Sequence, residues 1–313
     1  MRMMKKMLRK PYNKMQDMIK AQDNNKQLNK YLRNVDLRKL PVFNWIEIET
    51  MNRCNGSCRF CPVNKNDDQR PYAKMSEDLF LKIIKQLQEN NYSGYIGLYS
   101  NNEPFLDNRI EKFIMIAKEY LPDACHYIIT NGTLLTLERF KLVIDSLDRI
   151  IIDNYDNAFE FHKNVKDIYL YCLENDELRN KVRIVKRSAD QVLTSRGGTA
   201  PNREKFKVSG WLSNVSCQYP FSQMIVRPDG KVSLCCNDAL GYYTLGDLNK
   251  QSLSDVWNNQ DYYEIRKKII RGRKNIEICR GCDTIPFDWL IKPSVSNFFD
   301  KYLYFFDVKS PYQ

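Results

Sequence analysis

Between residues 76 and 87 the apolar positions Leu79, Phe80, Ile83, Ile84 and Leu87 recur at helical spacing, and Ser76-Glu77-Asp78 stands where a helix cap belongs. Around this helix the pattern alternates. Trp45 to Glu49 reads as a short strand, and Tyr95 to Tyr99 as another. Ile110 to Tyr120 predicts a helix, and His126 to Thr130 a strand ending in the turn pair Asn131-Gly132. Thr136 to about Leu147 predicts a helix, Arg149 to Asp153 a strand, Phe159 to Leu173 a helix and Val182 to Lys186 a strand. Repeated strand–helix units mean a parallel sheet with helices outside it. In such sheets the chemistry sits at the carboxyl ends of the strands. The units are too few for an eight-fold barrel. After about Pro201 the pattern changes to short β segments, a Pro228-Asp229-Gly230 turn between two strands, and one helix from about Leu253 to Arg271. This predicts a small separate module. The tail from Asp283 is rich in aromatics (Phe287, Trp289, Phe298, Phe299, Tyr302, Tyr304, Phe305, Phe306) and is expected to pack on the body.

A chain of 313 residues is long enough for roughly two domains. No apolar run approaches the ~18 residues of a membrane span. The basic stretch Met1 to Lys10 lacks the apolar segment of a signal peptide, so a cytoplasmic location is expected. There, ten cysteines serve as ligands more readily than as disulfides. The net charge of +11 is uneven: residues 1–40 hold 12 Lys/Arg against 3 Asp/Glu, leaving +2 for the other 273 residues. Met4, Leu8, Met15, Met18 and Ile19 fall roughly on one helical face of this basic arm, with Pro11 interrupting it. The arm suits either packing against the body as a solvated amphipathic segment or peripheral contact of residues 1–40 with an anionic surface.

The chemistry lies in the cysteines. Cys54, Cys58 and Cys61 form a C-x3-C-x2-C loop directly after the first strand. Three thiolates in one tight loop suit an iron–sulfur cluster, and a four-iron cube held by three leaves one iron open. Zinc wants four N or S ligands, and the chain has only His126 and His162, neither nearby. With Phe60 before the third cysteine, the loop resembles the signature of radical S-adenosylmethionine (SAM) enzymes. In that family the open iron chelates the amino and carboxylate groups of SAM.

A second set, Cys217, Cys235, Cys236, Cys279 and Cys282, falls in the small module. Taken alone, it could hold zinc as a ribbon or a closed four-iron cluster. Beside the first loop, the module resembles the twitch domain, a shortened SPASM domain, through Gly246-Asp247-Leu248, Ser252-Leu253-Ser254-Asp255-Val256-Trp257 and Cys279-x2-Cys282. Adjacent strand residues point to opposite faces, so only one of Cys235 and Cys236 faces such a cluster. Family spacing favours Cys235. Cys236, Cys125 and Cys172 are left as buried thiols.

The resemblance implies a partial (β/α)6 barrel with a small C-terminal auxiliary domain of β-hairpin plus helix. It divides the chain into a basic arm (1–43), a radical SAM barrel (44–205), an auxiliary domain (206–290) and an aromatic tail (291–313). It implies two [4Fe-4S] clusters, one on Cys54, Cys58 and Cys61 and one on Cys217, Cys235, Cys279 and Cys282. SAM contacts are implied for Asn102, Glu103, Thr130, Asn131, Asn154 and Ser195, with Asn101-Asn102-Glu103-Pro104 in place of the usual Gly-Gly-Glu-Pro turn. A flavodoxin- or ferredoxin-type electron donor is implied as well. The stretch Asp190 to Gly198 resembles that of the 2-deoxy-scyllo-inosamine dehydrogenases, which oxidise a secondary alcohol of an aminocyclitol. Arg196 would then sit near the substrate hydroxyl. Ile129 replaces a tyrosine of those enzymes and Asn237 a glutamate, so the aminocyclitol itself is not carried over. The expected reaction is oxidation of a small polar substrate, carbohydrate-like and either free or linked to a carrier or lipid. Peptide maturation and sugar epimerisation or dehydration stand as alternatives. No nucleic-acid partner is expected.

Overall fold

The computed structural model describes residues 2–202 and 210–285, so the aromatic tail from Phe287 onward lies outside the described residues. The chain opens with α1 (Arg2–Leu32), a helix unbroken at Pro11. Its buried side is Ala21, Asn24 and Leu28, while Met15, Met18 and Ile19 are exposed. The packed face is therefore not the one expected from the apolar spacing. Gln218 Nε2 donates to the Asn24 carbonyl at 2.9 Å and holds the helix to the later module.

Strand and helix then alternate: β1 (Trp45–Ile48), α2 (Glu77–Glu89), β2 (Tyr95–Gly97), α3 (Ile110–Tyr120), β3 (Cys125–Thr130), α4 (Leu137–Val143), β4 (Arg149–Tyr155), α5 (Lys163–Leu173), α6 (Asp176–Arg179) and β5 (Val182–Arg187). Ser76 caps α2 by accepting from the Leu79 N–H at 3.2 Å. Such a cap is worth about 1 kcal/mol. All five apolar positions of its spacing are buried. α5 begins four residues later than its pattern suggests. Asn154 Oδ1 accepts the His162 N–H at 2.9 Å, and Phe159 takes a left-handed φ of 58°, which keeps residues 156–161 in a loop.

The later module adds α7 (Tyr219–Ser222), β6 (Gln223–Val226), β7 (Lys231–Ser233), β8 (Thr244–Asp247), α8 (Leu253–Trp257), α9 (Gln260–Ile270) and α10 (Glu277–Arg280). The single helix expected from Leu253 to Arg271 is two. Asn258 ends the first, and Asn259 caps the second, accepting from Tyr262 N–H at 2.9 Å while its amide donates to Leu245 O. The Pro228-Asp229-Gly230 turn joins β6 to β7, with Gly230 at φ 81°.

All eight strands form one sheet in the order β5-β4-β3-β2-β1-β6-β7-β8. The first six in that order are parallel; β7 and β8 extend it antiparallel. The sixth parallel strand comes from the auxiliary segment and pairs with β1, Ile46 facing Met224. The sheet thus runs without a break across the expected boundary at 205/206. Ile46, Ile48, Ile96, Ile128, Ile150 and Ile152 pack on one face beneath the helices. Trp45, Glu47, Tyr95 and Tyr127 occupy the other, inner face, as alternation along a strand requires. Among the described residues no helix is long and apolar enough to cross a membrane.

Candidate active site

The cysteine loop leaves the carboxyl end of β1. Cys54 Sγ accepts the Gly56 N–H at 3.3 Å, and Cys61 N–H bonds Cys58 O at 3.1 Å. A Cβ on Gly56 would lie 3.4 Å from Cys54 Sγ and 3.8 Å from Cys58 Sγ, so glycine leaves the space beside both sulfurs open. Burial pushes the thiols of Cys54 and Cys58 up to about 12. Protonated thiols of this kind ligate only when a metal's charge displaces the proton. Phe60 is buried, its ring 5.5 Å from that of Tyr155. Arg70, absent from the sequence reading, organises the exit of the loop. Its guanidinium donates to the carbonyls of Asn52, Asn101 and Ala239 at 3.1 Å each and pairs with Asp68 at 2.9 Å.

Next to this loop lie the turns after β2 and β3. Glu103 is buried and joins them: Oε1 accepts from Thr130 Oγ1 at 2.6 Å and Phe105 N–H at 3.1 Å, while Oε2 accepts from Asn131 N–H at 2.8 Å. A carboxylate oxygen takes two donors, so Oε2 retains one acceptor position. Asn131 donates to Asn55 at 2.8 Å and so clamps the β3 turn to the cysteine loop. Asn102 Nδ2 is a buried donor with no partner, as suits a site awaiting an acceptor. Two further residues expected to contact SAM have protein partners in this structure. Asn154 is fully buried and spends its amide on Glu160 O at 2.8 Å and on His162 N–H. Ser195 Oγ donates to Gly281 O at 2.7 Å and bonds Asp283, tying its segment to the auxiliary module.

The second cysteine set gathers behind β7 and on α10. The thiol of Cys235 lies within the field of its neighbour Cys236 and of Cys279, Cys217 and Cys282. That of Cys236 faces Glu47 and Arg196 instead, with Cys282 as its more distant neighbour. Cys236 therefore borders the inner face of the sheet and is not an isolated core thiol. Burial raises the thiol of Cys279 strongly. Arg273, 1% exposed, lies among Cys217, Cys282 and Cys279, and its Nε has no partner. A buried cation facing thiols is costly alone and becomes favourable beside an anionic cluster. Among the described residues no three His, Cys, Asp or Glu side chains converge on a point fit for one metal ion. Cys125 and Cys172 lie apart, in β3 and α5, with thiols pushed up by burial to about 12 and about 11.

Between the two sets stands Arg196. Its backbone is left-handed at φ 48°, followed by Gly197 at 64° and Gly198 at 87°. A Cβ on Gly197 would come within 2.5 Å of Ile278, so this glycine lets the segment press against α10. Left-handed geometry at a non-glycine costs of order 1–3 kcal/mol and persists where the surroundings impose it. Arg196 Nη2 donates to Asn101 Oδ1 at 2.8 Å, the guanidinium also bonds the Cys61 sulfur, and its charge faces Cys236 and Glu47. Its Nε is buried without a partner. Ile129 is partly open on β3, whereas Asn237 is buried and accepts from Thr284 Oγ1 at 3.3 Å.

Residues 48–193 match the model of the radical SAM superfamily, and residues 217–283 match the SPASM iron–sulfur cluster-binding domain; together the two span more than half of the chain. The S-adenosyl-L-methionine-dependent 2-deoxy-scyllo-inosamine dehydrogenase of Niallia circulans is 28% identical over 246 residues, covering 78% of this chain and 94% of that enzyme. The crystal structure of BtrN in complex with AdoMet and 2-DOIA superposes with a TM-score of 0.67 at 26% identity, over 78% of this chain and 94% of BtrN. BtrN in an open conformation gives 0.58 at 23% identity, over 78% and 93%. The fold expected from the strand–helix alternation is the one these structures have. The chain is a member of the radical SAM superfamily, an enzyme with a SAM-binding [4Fe-4S] cluster and an auxiliary iron–sulfur cluster in a SPASM domain.

Proposed function

We propose that this enzyme oxidises a secondary alcohol of a small cyclitol- or sugar-like substrate to a ketone. In this reading Cys54, Cys58 and Cys61 hold the SAM-binding cluster, and Cys217, Cys235, Cys279 and Cys282 hold the auxiliary one. The observation that carries it is Arg196, fixed in a strained backbone with its charge between Cys61 and Cys236. The printed activity of the Niallia circulans relative, matched over 94% of its length, supports the reaction class.

When bound, SAM and its cluster supply one-electron cleavage and a hydrogen-abstracting radical. The protein's own residues bind, orient and shield. Asn102 Nδ2 offers a donor to the SAM carboxylate, and Glu103 Oε2 keeps one position for the SAM ammonium. Arg196 holds the substrate oxygen. A guanidinium stays protonated, and the thiolates and Glu47 raise its affinity for the proton further. Open Ile129 gives the pocket an apolar wall at the end of β3. A cluster on Cys217, Cys235, Cys279 and Cys282 would supply an acceptor for the electron that leaves the substrate, and a flavodoxin- or ferredoxin-type donor would supply the electron for the cluster on Cys54, Cys58 and Cys61. A reducing cytoplasm suits a cluster with an open iron. The exposed Met15, Met18 and Ile19 of α1, in a strongly basic arm, suit peripheral contact with an anionic surface.

The test is anaerobic incubation of reduced, reconstituted enzyme and SAM with a panel of cyclitols, aminocyclitols and sugars. A panel member that stimulates 5′-deoxyadenosine release and returns two mass units lighter is the expected result. Stimulation by peptides alone would make the enzyme a maturase.

One observation favours a second reading. The Cys236 thiol borders the inner face, and burial keeps it protonated. An S–H there would return a hydrogen atom to the substrate, giving an epimer and a thiyl radical that one electron from the flavodoxin- or ferredoxin-type donor and a solvent proton restore to the thiol. The two readings separate in deuterated water: an epimer gains one solvent deuteron at carbon, and a ketone gains none.

Arg273 supplies a further check on the auxiliary site. In Arg273→Gln the cation among the thiols is lost, so the auxiliary cluster should become harder to reduce. The expected shift is at least a tenfold change in electron affinity, about 59 mV for one electron. A redox titration followed by electron paramagnetic resonance measures it; an unmoved potential would place Arg273 outside the cluster's field.

A further inference from the structure

We propose that Glu47, in the middle of β1, is the base that takes the proton from the substrate hydroxyl. The inference rests on the alcohol-oxidation reading above and supplies what Arg196 cannot. Oxidation removes a C–H and an O–H hydrogen and forms C=O. The hydrogen atom goes to the SAM-derived radical and one electron to the auxiliary iron–sulfur cluster. The hydroxyl proton needs a base, and a guanidinium that stays protonated is not one.

Glu47 has the position and the chemistry. Its side chain is on the inner face, two residues before Glu49 and seven before Cys54. It is 3% exposed. Oε2 accepts from Ser100 Oγ at 2.5 Å, and Oε1 accepts the more distant Tyr127 hydroxyl at 3.3 Å. Oε1 is thus the freer oxygen and the one assigned the proton. The Trp45 indole N–H donates in turn to the Tyr127 hydroxyl, which fixes the ring. Its main charged or titratable neighbours are Arg196 from the 196–198 segment, Tyr127 from β3, Glu49 from the end of β1 and Cys236 from the turn after β7. Among the ion pairs of the described residues there is none between Glu47 and Arg196, so the proposal puts the alcohol oxygen between a fixed donor and a carboxylate acceptor. Burial, partly offset by Ser100 and Arg196, lifts the carboxyl to about 7. A base with that affinity is half ionised at neutral pH and well matched to the task.

The signs follow. Only the carboxylate accepts the proton, so ketone formation should fall as pH drops through about 7. Glu47→Gln keeps shape and burial but cannot accept. With the cyclitol or sugar that the panel above shows to be oxidised, deuterated at the reacting carbon, as the probe, Glu47→Gln should still move deuterium into 5′-deoxyadenosine. Its ketone yield per 5′-deoxyadenosine should drop about 100-fold, the contribution of a positioned base, and the acid limb of the pH profile should vanish. Glu47→Asp should restore part of the yield. Difference infrared spectra of the reconstituted enzyme should show a carboxyl titrating near pH 7 that Glu47→Gln lacks. A variant that only raises KM with coupling unchanged would make Glu47 an anchor and overturn the proposal, as would an infrared titration without that carboxyl. A wild type that makes no ketone from any alcohol would sink the oxidation reading and this role with it. A wild type that makes ketone while Glu47→Gln equals it would sink the base assignment alone.

Discussion

Cys58→Ala is expected to bring 5′-deoxyadenosine formation to background, a loss of more than about 1000-fold, because the cofactor alone performs this cleavage. Cys58 is buried at the centre of the loop, and its sulfur shares with Cys54 Sγ the space left open by Gly56. No other thiol is at hand to replace it: Cys125 and Cys172 lie in β3 and α5, and the remaining cysteines belong to the second set. The first cluster should be lost with its fourth-corner chemistry, while the auxiliary iron remains. Iron and sulfide analysis should then give about half the wild-type content, since two four-iron clusters become one. Cys172→Ala is the control. It removes one buried sulfur from α5 and should cost about 1 kcal/mol of stability while leaving SAM cleavage intact. Cleavage retained in Cys58→Ala would overturn the assignment of the loop.

The parts legible in the sequence were those with local causes. The 3.6-residue period and cap of α2, the Pro-Asp-Gly turn and the two cysteine spacings each rest on residues a few positions apart. The parallel pairing of β6 with β1 escaped because its four residues, Gln-Met-Ile-Val, carry no sign of a partner nearly two hundred residues earlier. The split between α8 and α9 depends on Asn259 finding the Leu245 carbonyl, a contact made only once β8 is in place. Asn154 and Ser195 follow the same rule: both stand beside the site in sequence, but the fold spends their polar atoms on backbone and loop partners.

Glu47 was missed for a related reason. Trp45-Ile46-Glu47-Ile48-Glu49 reads as a strand with apolar and polar faces, and the polar face of such a strand is usually wet. Here both glutamates are buried on the inner side of the sheet. Two carboxylates alternating on the strand that leads into a cluster loop were the available signal. The counterweight is Arg70 for Glu49, at 3.7 Å, and the longer-range charge of Arg196 for Glu47.

The double variant Cys279→Ala/Cys282→Ala is expected to leave SAM cleavage near wild type and to suppress ketone formation at least about 100-fold, the size expected when a reaction loses a group it needs only after hydrogen abstraction. The two cysteines belong to α10 and the residues just after it, away from the Cys54 loop. The same helix also braces Arg196: Ile278 fills the space beside Gly197, and Ser195 bonds Gly281 O. A lost ketone could therefore reflect a displaced Arg196 instead of a missing electron acceptor. Two measurements divide these causes. Cys279→Ser/Cys282→Ser keeps side-chain size at the brace and should fail equally if electron transfer is what is lost. Ile278→Ala leaves the cysteines but opens the brace, so it should raise KM while the yield of ketone per 5′-deoxyadenosine holds. Oxidation at the wild-type rate in the double variant would remove the auxiliary cluster from the electron path. The substrate radical would then hand its electron to another acceptor, and the cysteines of the second set would be left with a structural role.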